Sequence, residues 1–264
     1  MSELEPPQVS PDEYDEDYYR TACAGHDEWV ESAGAGEAAL YKGVLARAGI
    51  REQMTVCDIG AGRGELVALA VQHGARWAVG VEYSAAAARL AAQSIAARDV
   101  ADRAAVVLAD ARRLPLPDSC ADLVFMIDVI EHLAPAELAA TFAEAHRVLT
   151  PGGRLFAHTF PTRTIYDVTY RGMRAMARLG GRHWPADPRN DYEHRMHVNE
   201  QTRAGLRRSL RSAGFPAPDV QFGKWVHVDF VPSRRGQAAL RRLARHRATA
   251  PLAVADLWVD ARRS

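Results

Sequence analysis

"VCDIGAGRGEL", Val56 to Leu66, passes from apolar residues through an aspartate into three glycines at alternate positions, 60, 62 and 64. A short apolar run, then glycines, then a helix-forming stretch reads as a buried strand, a tight loop and a helix start. Glycines placed there let backbone N–H groups approach a ligand that side chains would exclude. Two kinds of ligand compete for such a loop. The dinucleotide fingerprint G-x-G-x-x-G/A requires a small residue at position 65, where this chain has Glu65, and Asp58 stands two residues before the first glycine. Both carboxylates would repel a pyrophosphate, whereas an ammonium group would be attracted, so the loop calls for a cationic nucleoside cofactor rather than a diphosphate.

Downstream of the loop, short β-branched or apolar runs alternate with alanine-rich helical segments. Strands are expected over 54–59, 77–81, 105–109, 123–127 and 154–159, and helices over 64–72, 85–97 and 135–149. This alternation is the signature of a mostly parallel, doubly wound α/β sheet with helices on both faces, whose ligands lie beyond the carboxyl ends of the strands. The second strand ends in "VGVEYS", placing Glu82 where it can accept bonds from both ribose hydroxyls, with Tyr83 beside it. At the third, "LADARRLPLP" offers the Asp110 carboxylate to an exocyclic amine and the Ala111 N–H to a ring nitrogen. The fourth, "FMIDVIEHL", brings Asp128 and Val129 to the same edge. Four successive strands thus deliver Asp58, Glu82, Asp110 and Asp128 to one rim.

In these four stretches the chain resembles the seven-stranded, Rossmann-like class I methyltransferases of the small-molecule type. The resemblance is firm from Met54 to Phe160 and looser at the end of the chain, where the family has terminal antiparallel strands. Ala61 stands where many relatives have Cys or another small residue. The resemblance implies S-adenosylmethionine as cofactor and S-adenosylhomocysteine as product. Cofactor contacts then fall to Asp58, Gly60, Ala61, Gly62, Glu82, Tyr83, Asp110, Ala111, Asp128 and Val129, with Tyr18 reaching in from an N-terminal helix.

A sulfonium methyl is already activated, so the enzyme must align an attacking atom in line with the C–S bond, exclude water and, where needed, take a proton. His132 is the first candidate base, since imidazole changes charge near neutral pH. "YEHRMHVNEQT" adds His194 and His197, whose His-x-x-His spacing suits a base, a structural hydrogen bond or a metal; without a clearly spaced third ligand, no metal is expected. Tyr14, Tyr18 and Tyr19 recur at helical spacing and suit a cap over the cofactor. Residues 160–199 break the strand and helix rhythm with prolines, arginines, aromatics and histidines, and are too long for a simple connection. Tyr14, Tyr19, His158, Tyr166, Tyr170 and Trp184 are therefore candidates for the acceptor side, with core packing as the competing role. A helix over 200–213 and strands within 220–231 and 252–263 complete the reading.

The expected organisation is an acidic tail and N-terminal helical cap over 1–50, then a methyltransferase domain over 51–264 that carries a cap insertion at about 160–199. Charges balance at 33 acidic and 33 basic side chains, so no global field recruits nucleic acid or anionic membrane. Six arginines between 233 and 247 make a local exception, read as a surface helix or an anionic docking site. Three cysteines with no metal-ligand spacing fit free thiols in a cytoplasmic protein. No targeting segment or transmembrane run is seen. The partner is a small or medium apolar or aromatic acceptor of secondary metabolism, methylated on oxygen or carbon; homodimerisation stays open. A non-catalytic S-adenosyl-nucleoside-binding module and an NAD-dependent dehydrogenase are the competing functions.

Overall fold

The computed structural model describes residues 4–228 and 231–264. Three short N-terminal helices, α1 (Glu16–Thr21), α2 (His26–Glu31) and α3 (Ala39–Ala48), precede the sheet. Then come β1 (Thr55–Ile59), α4 (Glu65–Gln72), β2 (Trp77–Glu82), α5 (Ala85–Ala97), β3 (Ala104–Leu108), β4 (Ala121–Ile127), α6 (Pro135–Val148) and β5 (Leu149–Thr159). The chain closes with α7 (Arg171–Leu179), α8 (Asp191–Met196), α9 (Arg203–Ser212), β6 (Asp219–Phe222), α10 (Arg234–Leu243) and β7 (Leu257–Arg262). The seven strands lie in the order β3-β2-β1-β4-β5-β7-β6. Pairing is parallel from β3 to β5, and β7 runs antiparallel to both its neighbours.

Strand side chains alternate between the two faces, as a period of two requires. Cys57, Ile59, Val124, Met126, Leu155 and Ala157 point to one face, where Phe142 and Leu138 of α6 and Leu206 and Leu210 of α9 cover them. Val56, Leu123, Phe125 and Phe156 point to the other, against Leu66 and Val67 of α4 and Ile95 of α5. The sequence expectation assigned α3 to the cap, but its Val44, Leu45 and Ala48 belong to this second cluster, so α3 covers the sheet.

The order of the strands reverses at β1, with β2 on one side and β4 on the other. Their crossovers therefore run to opposite faces and leave a crevice at the carboxyl ends. Here the glycine loop turns back sharply. Gly60 has φ +74°, and a Cβ on it would overlap Val129 Cγ2. Gly64, at φ +70°, caps α4, and a Cβ would stand 2.9 Å from the Ala91 Cα of α5. Both positions need glycine for conformation and for close approach.

One late expectation is corrected. The strand expected within 220–231 ends at Phe222, after which Gly223 and Trp225 bond to Asp256 and leave the ladder. Asp229, Phe230 and the first three residues of the acidic tail lie outside the described residues. The arginine-rich segment is the surface helix α10, anchored by buried Leu240, with Arg234, Arg235, Arg241 and Arg242 exposed. No helix among the described residues is long and apolar enough to cross a membrane.

Candidate active site

A cavity of about 570 Å³ opens over the carboxyl ends of β1, β2, β3 and β4. All four rim carboxylates line it, together with Gly60, Ala61, Gly62, Tyr83, Ala111 and Val129. Each rim carboxylate has its own environment. Asp58 is buried, and loss of hydration, followed by the charge of Glu82, raises its pKa well above the ordinary carboxylate range. Glu82 is raised by burial too, although backbone donors oppose the shift: its Oε2 accepts the Gly62 N–H, and its Oε1 accepts those of Tyr83 and Ser84, each at 2.8 Å. Ionised carboxylate oxygens hold about four lone-pair sites between them, so Glu82 keeps capacity for a ligand.

Asp110 is gripped by the Arg112 guanidinium, with Nε 3.0 Å and the second nitrogen 2.7 Å from Oδ2. Burial works to raise its pKa, but the Arg112 hydrogen bonds and charge overcome it and hold it low. Asp128 has φ +54°, uncommon without glycine, and this turn aims its Oδ1 at His158 Nδ1, 2.5 Å away. Burial opposes charge on His158, yet Asp128 at 2.5 Å and Asp256 at 3.4 Å outweigh it and push the imidazole pKa up to about 10. His158 is absent from the cavity wall. Its expected place on the acceptor side is therefore corrected: it is an imidazolium behind Asp128 that fixes this carboxylate.

An N-terminal cap closes the cofactor end. Ser84 Oγ donates to the Tyr14 carbonyl at 2.6 Å, and Tyr83 OH donates to the Val9 carbonyl at 2.8 Å. Arg63, which the sequence reading did not single out, is fully buried beside the glycine loop. Its Nε pairs with Glu65 at 2.9 Å, and its two terminal nitrogens donate to the carbonyls of Tyr19 at 2.7 Å and Ala24 at 2.6 Å. One guanidinium thus joins α4 to the chain that covers it. Tyr14, Tyr18 and Tyr19 all line the cavity, and burial raises each phenol, so none ionises at physiological pH.

Of the candidate bases, His132 and His197 line the cavity with rings 4.9 Å apart, and His194 does not line it. His194 is exposed at the surface, 3.9 Å from Asp187, which corrects its proposed catalytic place. Burial drives the His132 pKa down to about 4, with Asp128 opposing, and drives His197 down to about 3, helped by His132. Both are neutral at pH 7. The sequence reading passed over Glu131, which is 1% exposed and lines the same wall. Burial, then Asp128, raises its pKa to about 8, while Thr159 Oγ1 donates to its Oε2 at 2.7 Å.

Tyr166, Tyr170 and Trp184 are corrected as well, since none faces the cavity. They pack with Val228, Val231, Leu240 and Ala253 in a separate apolar cluster beneath α10. The Tyr166 hydroxyl donates to Glu193 at 3.0 Å and that of Tyr170 to the Pro185 carbonyl at 2.8 Å. Aromatic side chains line the cavity all the same: Tyr14, Tyr18, Tyr192, Phe160 and Trp225. Tyr18 and Tyr192 approach to 5.6 Å between centroids, and Phe160 and Trp225 to 3.7 Å.

Residues 57–157 match the family described as a methyltransferase domain. A curated relative, the ubiquinone/menaquinone biosynthesis C-methyltransferase of Laribacter hongkongensis, is 29% identical over 185 residues, 66% of this chain and 72% of the relative. Other curated relatives are covered over as little as 25% of their length. The geranyl diphosphate C-methyltransferase of Streptomyces coelicolor A3(2), solved with S-adenosyl-L-homocysteine, superposes with TM-score 0.60 at 14% identity, covering 86% of this chain and 76% of that one. The [4+2]-cyclase SpnF superposes with TM-score 0.59 at 21% identity over 92% and 84% of the two chains. These structural likenesses show the fold.

Proposed function

We propose, from the premise that this chain is a class I S-adenosylmethionine-dependent methyltransferase acting on a small molecule, that its acceptor is apolar or aromatic and is methylated on oxygen or carbon. The observation that carries the proposal is one continuous cavity lined both by the carboxylate-rimmed glycine loop and by a set of aromatic side chains. Its volume of about 570 Å³ falls inside the range of roughly 300–1,000 Å³ typical of small-molecule sites.

In this reading Glu82 would receive a ribose hydroxyl on its remaining acceptor site, Asp110 and Ala111 the adenine edge, and Asp58 the amino-acid ammonium. Tyr14, Tyr18 and Tyr192 would line the space beside the reacting methyl group, and Phe160 and Trp225 would hold an acceptor there for in-line attack. The faces of Tyr14 and Tyr18 would stabilise a cationic methyl donor without competing as nucleophiles, because burial keeps these two phenols protonated. Closure by the N-terminal cap excludes the water that would otherwise solvate the reacting atoms.

The test is methyl transfer from labelled S-adenosylmethionine to a panel of prenyl, quinone and phenolic acceptors, set beside hydrophilic acceptors of similar size. The proposal expects label in an apolar or aromatic product. Transfer confined to hydrophilic acceptors would refute it.

A further inference from the structure

We infer that Glu131, His132 and His197 form a binding site for a divalent cation of the zinc, manganese or cobalt kind, on the cavity wall. Each offers one donor atom, and the three atoms lie within 4.8 Å of one another. His132 Nε2 stands 4.0 Å from Glu131 Oε1. Metal–ligand bonds of about 2.0–2.2 Å place tetrahedral donors roughly 3.4 Å apart, so modest rotations of the three side chains close the set.

Independent observations point to a ligand here. His197 Nδ1 is buried with no hydrogen-bond partner among the described residues, and a buried polar atom left unpaired is costly. Glu131 is buried and has no arginine or lysine paired with it among the described residues, so no fixed cation supports its ionised form and a bound divalent ion would supply that partner. Outer contacts of the type that orient metal ligands are already in place. The Tyr14 hydroxyl lies 3.0 Å from His132 Nδ1, leaving Nε2 toward Glu131, and Thr159 Oγ1 holds the far oxygen of Glu131 at 2.7 Å.

Two imidazoles and one carboxylate suit a borderline cation better than magnesium or calcium, which favour all-oxygen shells. Three protein ligands leave a coordination position open toward the cavity, the arrangement of sites that bind substrate through the metal. Resting on the methyltransferase reading, the cation would hold an oxygen of the acceptor at that position, which selects oxygen-bearing acceptors. Only His197 of the His194 and His197 pair belongs to the set, and Glu131 escaped the sequence reading. Glu131 and His132 both come from the turn after β4, a distant part of the chain.

The test is a Co2+ titration of the chelator-treated full chain followed by visible absorption, with Zn2+ competition. The inference expects saturable ligand-field bands at one equivalent, and affinity weaker by at least about tenfold in His197→Ala and in Glu131→Gln. His194→Ala, altered outside the cavity, should titrate like the wild type. Binding of S-adenosylhomocysteine, measured by calorimetry on each variant, shows that the fold and cofactor site persist and reports separately on the methyltransferase reading. Absence of saturable Co2+ binding to a wild type that binds S-adenosylhomocysteine would overturn the inference. So would equal Co2+ affinity in His197→Ala.

Discussion

The Glu82 carboxylate at the end of β2 accepts the backbone N–H of Gly62, in the loop after β1, at 2.8 Å. One side chain thereby fixes the loop on the neighbouring strand while keeping about one lone-pair site for the crevice. Replacing Glu82 by Ala removes the acceptor for three backbone N–H groups, those of Gly62, Tyr83 and Ser84. A buried unpaired donor costs about 1–3 kcal/mol, so Glu82→Ala should lower the urea midpoint markedly, and Glu82→Gln, which retains an acceptor oxygen, should lower it less. Equal midpoints would show that the carboxylate does not hold the loop.

Gly60 and Val129 make a second pair that can be separated from cofactor chemistry. A methyl group on Gly60 would overlap Val129 Cγ2 in a backbone region that L-residues avoid. Gly60→Ala should cost about 1–3 kcal/mol from overpacking, with the left-handed backbone adding to it. Adding Val129→Ala removes the overlap and leaves the backbone penalty, so the double variant should regain part of the loss in chemical denaturation. No recovery would place the whole cost in the backbone.

Arg63 should be worth more to this molecule than its anonymity in the sequence suggests. Arg63→Met leaves Glu65 buried without its partner and releases the carbonyls of Tyr19 and Ala24. Removing one member of a buried ion pair costs about 3–5 kcal/mol, and Glu65→Gln in the same chain should recover part of it by discharging the orphan. Protease cleavage within residues 14–36 should accelerate in the single variant, because the cap loses its anchor. Unchanged cleavage would mean that the cap is held without Arg63.

The His158 contribution to stability has a definite sign with pH. Its folded pKa, about 10, is raised above an ordinary value of about 6.5, so the stabilisation is fully present below the ordinary value and is lost as pH rises through the folded one. Asp128, held low by the same partner, adds stability above the ordinary carboxylate range that is lost as pH falls through its lowered value. The melting temperature should therefore decline between about pH 7 and pH 10, and His158→Gln should flatten this decline. A profile identical to the wild type would remove His158 from the account.

How far the sequence reached depended on regularity. Short apolar runs set between helical segments placed the five parallel strands, although β5 starts at Leu149 rather than 154, and α5 runs over the expected Ala85–Ala97 because Ser84 caps it and a 3.6-residue spacing carries Leu90, Ala91 and Ile95 inward. The rim residues from Asp58 to Asp128 were legible because a strand end in a parallel sheet can face only one crevice. Irregular segments gave no such guide. Phe160 and Trp225 are far apart in the chain and meet because β7 lies against β5 while Trp225 N–H bonds to Asp256, neither of which leaves a local pattern. His158 was an acceptor-side candidate, but its ring is held between Asp128 and Asp256, away from the cavity wall. Aromatic content in 160–199 suggested an acceptor pocket, whereas Tyr166, Tyr170 and Trp184 instead fill the core under α10.

The central claim, that carboxylates at the strand ends select a cationic S-adenosyl ligand over a diphosphate, is tested most directly by calorimetry. Wild-type chain should bind S-adenosylhomocysteine saturably and give no heat with NAD. Asp58→Asn and Glu82→Gln should each weaken the first ligand by roughly tenfold or more, the equivalent of one charge-assisted hydrogen bond of about 1.5–3 kcal/mol. Saturable NAD binding, or S-adenosylhomocysteine affinity unaltered in both variants, would contradict the account.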